Sequence, residues 1–264
     1  MPVVWSMRDF AAALRVEGRV FSALVVRELG SRHGGDATRT LWLLIEPMIL
    51  MGIVYCLHSL EIQSALTVPF IIILLTGYLP HLMLRHAGIS GLSAIKANSG
   101  LLYHRQVHFL DVAYARMFVE TATVLIAFTF VCVGAHYLGI LNTPYSVAYV
   151  YLGWFFHVWF IMTVCAFVAG AGLVWPIVRR MYVPWTLAML IPYEAFTMLS
   201  WWPTTFQWYL LFFPCTEATE LLRYGFFGPA VPTYGNVLYT TLVMIPLTFL
   251  SLLVIHWGRK HLEL

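Results

Sequence analysis

Charge is scarce in this sequence. Only 10% of its 264 residues are Asp, Glu, Lys or Arg, against about 25% in an ordinary soluble domain. Cysteine is scarcer still. Cys56, Cys132, Cys165 and Cys215 fall in or beside apolar blocks without metal-ligand spacing, so they read as small packed hydrophobes and not as a disulfide framework. Catalytic signatures are missing as well. No Gly-rich loop ends in Gly-Lys-Ser/Thr, so the chain is not expected to hydrolyse ATP itself. There is no His-Glu-x-x-His zinc motif, no Gly-x-Ser-x-Gly elbow and no Asp-x-Asp pair. The net charge of +3 is small and dispersed, which excludes the dense basic face of a nucleic-acid binder. The first forty residues hold six arginines and no apolar core of a secretory signal.

Apolar residues are abundant, at 61% of the chain, with 16% aromatic. A water-soluble fold of this size cannot hide that fraction. A soluble enzyme, a disordered chain and a stapled secreted domain are excluded. The useful unit is a membrane span of about 20 apolar residues, and the pattern predicts an all-α membrane protein with six transmembrane helices. The spans are read at Leu41–Leu60, Leu66–Arg85, Asp111–Leu138, Val147–Val178, Val183–Trp202 and Val237–Trp257. The fourth run, at 1.5 Å per residue, exceeds a hydrocarbon core of about 30 Å. Gly170, Gly172 and Pro176 predict a break near its end. Ahead of the spans, Phe10, Leu14, Phe21, Leu24 and Val25 recur at helical spacing among arginines. That pattern suits an amphipathic helix in the membrane interface. A turn-rich break is expected at Gly30–Asp36 and a polar stretch at Gly88–His108.

The placement of charge orients the chain. Thirteen of the fifteen Lys and Arg fall before span one, in the loops after spans two and four, or in the tail. Arg223 alone sits in the alternate loops, and Arg116 lies within span three. This asymmetry puts both termini in the cytoplasm. Between spans five and six, eight aromatics crowd Phe196–Phe213, followed by Pro214, the polar run Cys215–Tyr224 and a Gly/Pro-rich exit. The segment is apolar enough to enter a bilayer and too broken to cross it. It reads as a re-entrant helical hairpin on the external face, around a protein-lined or watery path, or as part of an aromatic belt.

Ionisable residues inside spans are costly and therefore informative. Arg116 and Glu120 are spaced to pair on one helix face. Glu46 precedes Pro47 at a kink. Glu194, near the middle of span five, is either a channel-facing group or a carboxyl hydrogen-bonded between helices. His104 and His108, with Asp111 nearby, have i, i+4 spacing; they are either solvated loop histidines or metal ligands, and no metal is assigned.

Three stretches carry a family resemblance. Val26-Arg27-Glu28-Leu29, a polar break and Leu41-Trp42-Leu43-Leu44-Ile45-Glu46-Pro47 form the first. The second is Ala94-Ile95-Lys96-Ala97-Asn98-Ser99-Gly100-Leu101-Leu102, then Arg105-Gln106-Val107, Leu110-Asp111, Ala115-Arg116 and Glu120. The third is Pro214 with Glu217, Glu220-Leu221 and Arg223. The sequence resembles type-2 ABC exporter permeases, and within them the capsule polysaccharide export permeases of Gram-negative bacteria. The family usually has a Gly shortly before the residue matching Trp42, where this chain has Arg39. It usually has an Asn before the proline matching Pro214, where this chain has Phe213.

The resemblance implies one ABC-2-type membrane domain over 1–264. Its parts are an interfacial helix at 1–39, spans one to five at 40–202, a periplasmic re-entrant segment at 203–236, and span six with the tail at 237–264. It implies a multi-pass protein of the bacterial inner membrane that pairs with a second copy and with an ATPase dimer. ATP and Mg would be bound in that ATPase, with no cofactor in this chain. A periplasmic adaptor and an outer-membrane export protein would pass on a lipid-linked acidic polysaccharide. Ala94, Ile95, Lys96, Asn98, Leu101, Tyr103, His104 and Arg105 would couple to the ATPase. Aromatic rings support sugar faces without gripping single hydroxyls, so Trp42, Tyr193, Trp201, Trp202, Trp208 and Tyr209, with Glu194, are the expected path. Arg15, Arg19 and Arg27 are expected near lipid phosphates. The rival readings are an exporter of O-antigen or teichoic acid, an exporter of a smaller lipid or drug, and an intramembrane transferase.

Overall fold

A computed structural model describes residues 7–33, 69–97 and 109–260, with isolated helical positions between 45 and 56. Among the described residues the regular structure is helical, with turns between helices and no strand. Helix α1 is Met7–His33. Helix α2 is built of Phe70–Ile73, a π-helical stretch Leu74–Tyr78, and Leu79–Ala97. Then come α3 (Phe109–Tyr137), α4 (Val147–Val174), α5 (Pro176–Ala188), α6 (Thr204–Leu211), α7 (Pro214–Phe227) and α8 (Val237–Arg259).

Four of these helices are long and apolar enough to cross a membrane: Phe70–Ala94, Leu110–Tyr137, Val147–Val174 and Val237–Gly258. The outer faces of α3 and α8 carry exposed Ile126, Phe130, Val133, Leu242, Ile245, Phe249 and Leu253. That much apolar surface suits hydrocarbon and not water. The expected first span, Leu41–Leu60, with Trp42 and Glu46, lies outside the described residues except for isolated positions, as does the loop from Asn98 to His108.

Helix α4 is the central post. It packs against α2, α7 and α8, and α2 packs on α3. Small residues permit the approach. A Cβ at Gly153 would sit 2.7 Å from the Leu222 backbone, and one at Gly170 would run into the backbone of Ile255. Lipid tails supply no hydrophobic force between helices, so close backbone contact at small residues is the packing term available.

Three boundaries differ from the sequence reading. The break expected at Gly30–Asp36 is not at its start, because α1 continues through Gly30 to His33. A helical glycine costs only about 1 kcal/mol, and α1 is held on α3 by buried Leu24 and a Phe21–Phe118 edge contact at 5.8 Å. The polar stretch after span two is helical as far as Ala97. Tyr182 packs on Gly88 there, and its hydroxyl donates to the Leu84 carbonyl at 2.6 Å. The fourth run breaks where expected. Trp175 is extended, Pro176 starts α5, and Arg179 Nε donates to the Gly172 carbonyl at 2.8 Å, covering an open helix end.

The third difference is the largest. Val183–Trp202 is not one helix. Helix α5 stops at Ala188, and turns run from there to Thr197. Pro192 has no N–H for the Ala188 carbonyl and its ring would crowd that carbonyl. A Gly170→Leu variant should force α4 from α8 and cost about 1–3 kcal/mol, read as a lower thermal midpoint in detergent. Gly134→Ala, with open space around Gly134, should leave the midpoint unchanged or slightly higher.

Candidate functional site

Two backbone irregularities meet at one place. The π-helical stretch of α2 carries Thr76 and Gly77. Glu194, in the turn after α5, has φ 49°, and is the non-glycine residue with positive φ among those described. A Cβ at Gly77 would lie 2.5 Å from the Glu194 carbonyl oxygen, so only glycine lets the two segments touch. π turns and left-handed non-glycine residues cost free energy and collect at functional sites.

Arg223 of α7 fills this junction. It is fully buried, and so is Glu194. Its Nε donates to Thr76 Oγ1 at 3.2 Å, and Thr76 Oγ1 donates to the Ile72 carbonyl at 2.7 Å. Its Nη2 donates to the carbonyls of Glu194 at 2.9 Å and Thr197 at 2.8 Å. Its Nη1 donates to Glu194 Oε2 and stands 3.5 Å from Glu220 Oε1. One guanidinium thus binds α2, α7 and the turn after α5. It also satisfies carbonyls that the unwound chain leaves without helix partners.

Helix α7 is secured at further points. Pro214 opens the helix and Glu217 lies in its first turn, where the dipole favours a carboxylate. Glu217 Oε2 accepts from the Asn236 N–H at 2.5 Å, and Glu220 Oε2 from the Tyr234 N–H at 3.0 Å. Burial pushes the Glu217 carboxyl up to about 7, against the pull of the Asn236 N–H. Thr216 Oγ1 donates to the Pro192 carbonyl at 2.7 Å, closing the turn against α7.

The residues expected from sequence divide into groups. Glu194 and Tyr193 are fully buried within the chain. The Tyr193 ring stacks on His157 at 5.6 Å and meets His81 edge-on at 5.9 Å. Neither offers surface to a polymer in this arrangement. Trp201, Trp208 and Tyr209 are exposed on and beside α6. Trp202 packs on Phe206 at 4.9 Å and its Nε1 donates to Thr197 Oγ1 at 3.2 Å, which ties the exposed aromatics to the junction.

Arg116 does not make the ion pair expected with Glu120. It reaches Glu28 of α1 at 2.8 Å, and Glu120 accepts from Ser90 at 2.5 Å. Helical spacing made the local pair available, and packing of α1 and α2 on α3 supplied better-placed partners. Arg15, Arg19 and Arg27 are exposed along α1. Ala94 is buried near the end of α2, and the backbone at Ile95 and Lys96 is helical. Asn98, Leu101, Tyr103, His104 and Arg105 lie outside the described residues, as do Trp42 and Glu46.

The sequence reading missed Arg223 as the anchor. Its isolation among the external loops, with Glu220 three residues before it, was the available signal. Arg223→Met should leave two buried carboxyls without their cation, at a cost of about 3–5 kcal/mol. Fluorescence-detected size exclusion should then find little monodisperse protein. Arg223→Lys, which keeps the charge and loses the fork, should fall between.

No family model matches the chain. It is 31% identical over 265 residues to the capsule polysaccharide export inner-membrane protein CtrC of Neisseria meningitidis serogroup A, covering 97% of each chain. It is 27% identical to the capsule polysaccharide export inner-membrane protein BexB of Haemophilus influenzae over 96% of both. It is 25% identical to the polysialic acid transport protein KpsM of Escherichia coli, over 80% of this chain and 83% of that one. An identity above 30% that runs end to end makes this chain a member of the capsule polysaccharide export inner-membrane protein family.

Proposed function

We propose that the chain is the inner-membrane permease subunit of an ATP-driven exporter that moves capsular polysaccharide across the bacterial inner membrane. The observation that carries this reading is the likeness to CtrC over 97% of each chain. The four apolar helices and the lack of a nucleotide-binding loop agree with it. ATP and Mg then belong to a partner ATPase dimer, and two copies of this chain form the conduit. A periplasmic adaptor and an outer-membrane protein receive the polymer.

In this reading six segments cross, with Leu41–Leu60 first and α5 with its following turn fifth, and both termini lie in the cytoplasm. Helices α6 and α7 form the re-entrant external element. Their 8 and 14 residues give about 12 and 21 Å at 1.5 Å per residue, short of a core of about 30 Å. The exposed rings of Trp201, Trp208 and Tyr209 then stand where a sliding glycan needs apolar faces. The exposed arginines of α1 contact lipid phosphates at the cytoplasmic leaflet. The end of α2 and the residues to Arg105 dock on the ATPase.

The decisive experiment expresses this chain in an encapsulated strain deleted for its own permease, with the cognate ATPase supplied. Surface capsule should return, and the ATPase should co-purify with the chain. Absence of both would sink the proposal. Trp208→Ala and Tyr209→Ala should each lower capsule export several-fold at unchanged membrane level; full export from both would remove these rings from the path. A cysteine at Asn98 or Tyr103, in a Cys56→Ser background, should crosslink to the ATPase. No crosslink anywhere between residues 93 and 104 would argue against docking there.

A further inference from the structure

Two carboxyls share the buried cation of the junction. Glu194 gives Oε2 to Arg223 Nη1. Glu220 gives Oε2 to the Tyr234 N–H at 3.0 Å. Each has a second oxygen, Oε1, that is buried and receives no hydrogen bond. Both carboxyls approach the same atom, Arg223 Nη1, Glu194 through Oε2 and Glu220 through Oε1 at 3.5 Å. Two ionised carboxylates are acceptors only, so neither can satisfy the other. The pair is short of a donor.

The charge balance gives the same answer. Arg223, Glu194 and Glu220 are each fully buried. With both carboxylates ionised, the group would carry a net negative charge with no water to screen it, a costly arrangement in a low-dielectric interior.

Of the other polar neighbours, Tyr193 Oη, His81 Nδ1 and His157 Nδ1 make no hydrogen bond, and the rest are engaged elsewhere. Glu217 turns to the Asn236 N–H. From α4, His157 sets Nε2 3.4 Å from Thr219 Oγ1 and stacks its ring on Tyr193. From α2, His81 donates through Nε2 to the Thr186 carbonyl at 2.7 Å. Thr76 serves Arg223 Nε. Cys215, buried in the first turn of α7, brings no cation. None supplies a second positive charge to the carboxyl pair.

We propose that Glu194 and Glu220 hold one proton between them, so that the junction contains one guanidinium, one carboxylate and one carboxylic acid. The proton gives the carboxyl pair a donor and brings the site to neutrality. Like charges at this separation resist joint ionisation, as in any close carboxylate dyad. The binding site is for a proton, and it lies beyond any role in export. Hydration of the junction would release that proton, because water solvates a second carboxylate.

The test uses the full chain in lipid nanodiscs and infrared spectroscopy. The wild type at pH 9, where Glu217 is ionised, should give a protonated-carboxyl C=O band that shifts on deuteration. Glu194→Gln and Glu220→Gln should each fold, because glutamine imitates the neutral acid and one carboxylate is enough for Arg223. Both should lose the band, and Glu217→Gln should retain it. The double variant Glu194→Gln/Glu220→Gln leaves Arg223 with no counter-charge and should lose monodisperse protein. Absence of the band in the wild type would overturn the proposal. So would its persistence in both single variants, or failure of either single variant to fold.

Discussion

The guanidinium of Arg223 is the contact on which the described fold turns. Around it are segments that lack regular helical bonding: the π turn of α2 and the turn between α5 and α6. Irregular backbone at membrane depth survives only where protein or trapped water meets its polar groups. Arg223 meets several of them directly, taking the carbonyls of Glu194 and Thr197 and the hydroxyl of Thr76. Its planar fork suits this task, since several donors point in fixed directions from one group. The ion pair itself is weak evidence for net stability, because desolvation opposes the attraction. Its contribution is to specify one arrangement, since every alternative leaves a buried charge without a partner.

The close approach of Gly77 to the Glu194 carbonyl and the left-handed conformation of Glu194 follow from that arrangement. A left-handed non-glycine residue costs about 1–3 kcal/mol and persists only when its surroundings over-determine it. Here the same residue is fixed twice, by its side chain and by its carbonyl, to one guanidinium. Helix α7 gives the other half of the constraint. Its carboxylates hold the N–H groups of Tyr234 and Asn236, so the chain leaving the element is tied back to it before α8 begins.

How much of this the sequence disclosed depended on whether the cause was local. The break before Pro176 and the start of α7 at Pro214 were legible, because a proline acts on its own helix. The termination of α5 was not. Val183–Trp202 reads as a continuous apolar run, and its unwinding is stabilised by an arginine from a later helix. Glu194 stands out as an ionisable residue within an apolar run, with a buried bonded role among its two readings, whereas Arg223 stands as a charge in the external loops and as part of a family motif. The i, i+4 spacing of Arg116 and Glu120 suggested a local pair, while the partner that packing supplied, Glu28, lies on α1. The π turn has no signature beyond Gly77, whose purpose appears only when the Glu194 carbonyl is beside it. Family membership was legible throughout, because it rests on motif order and not on which side chains meet.

The junction limits how the molecule can move. Shifting α7 along α2 would strip Arg223 from Thr76 and leave the guanidinium or its carboxyls unpaired, at a cost of about 3–5 kcal/mol. The glycine contacts of α4 with α7 and α8 resist the same shift, since a slide would replace glycine with a side chain at the tightest points. Helices α2, α4, α7 and α8 therefore move most cheaply as one body. Helix α6 is different. It touches few elements besides α7, and Trp208 and Tyr209 project from it exposed. Its tether is Trp202, bonded to Thr197 beside the carbonyl that Arg223 holds. A rearrangement confined to α6 would leave the buried charges in place, whereas one that displaced the turn after α5 would have to break them.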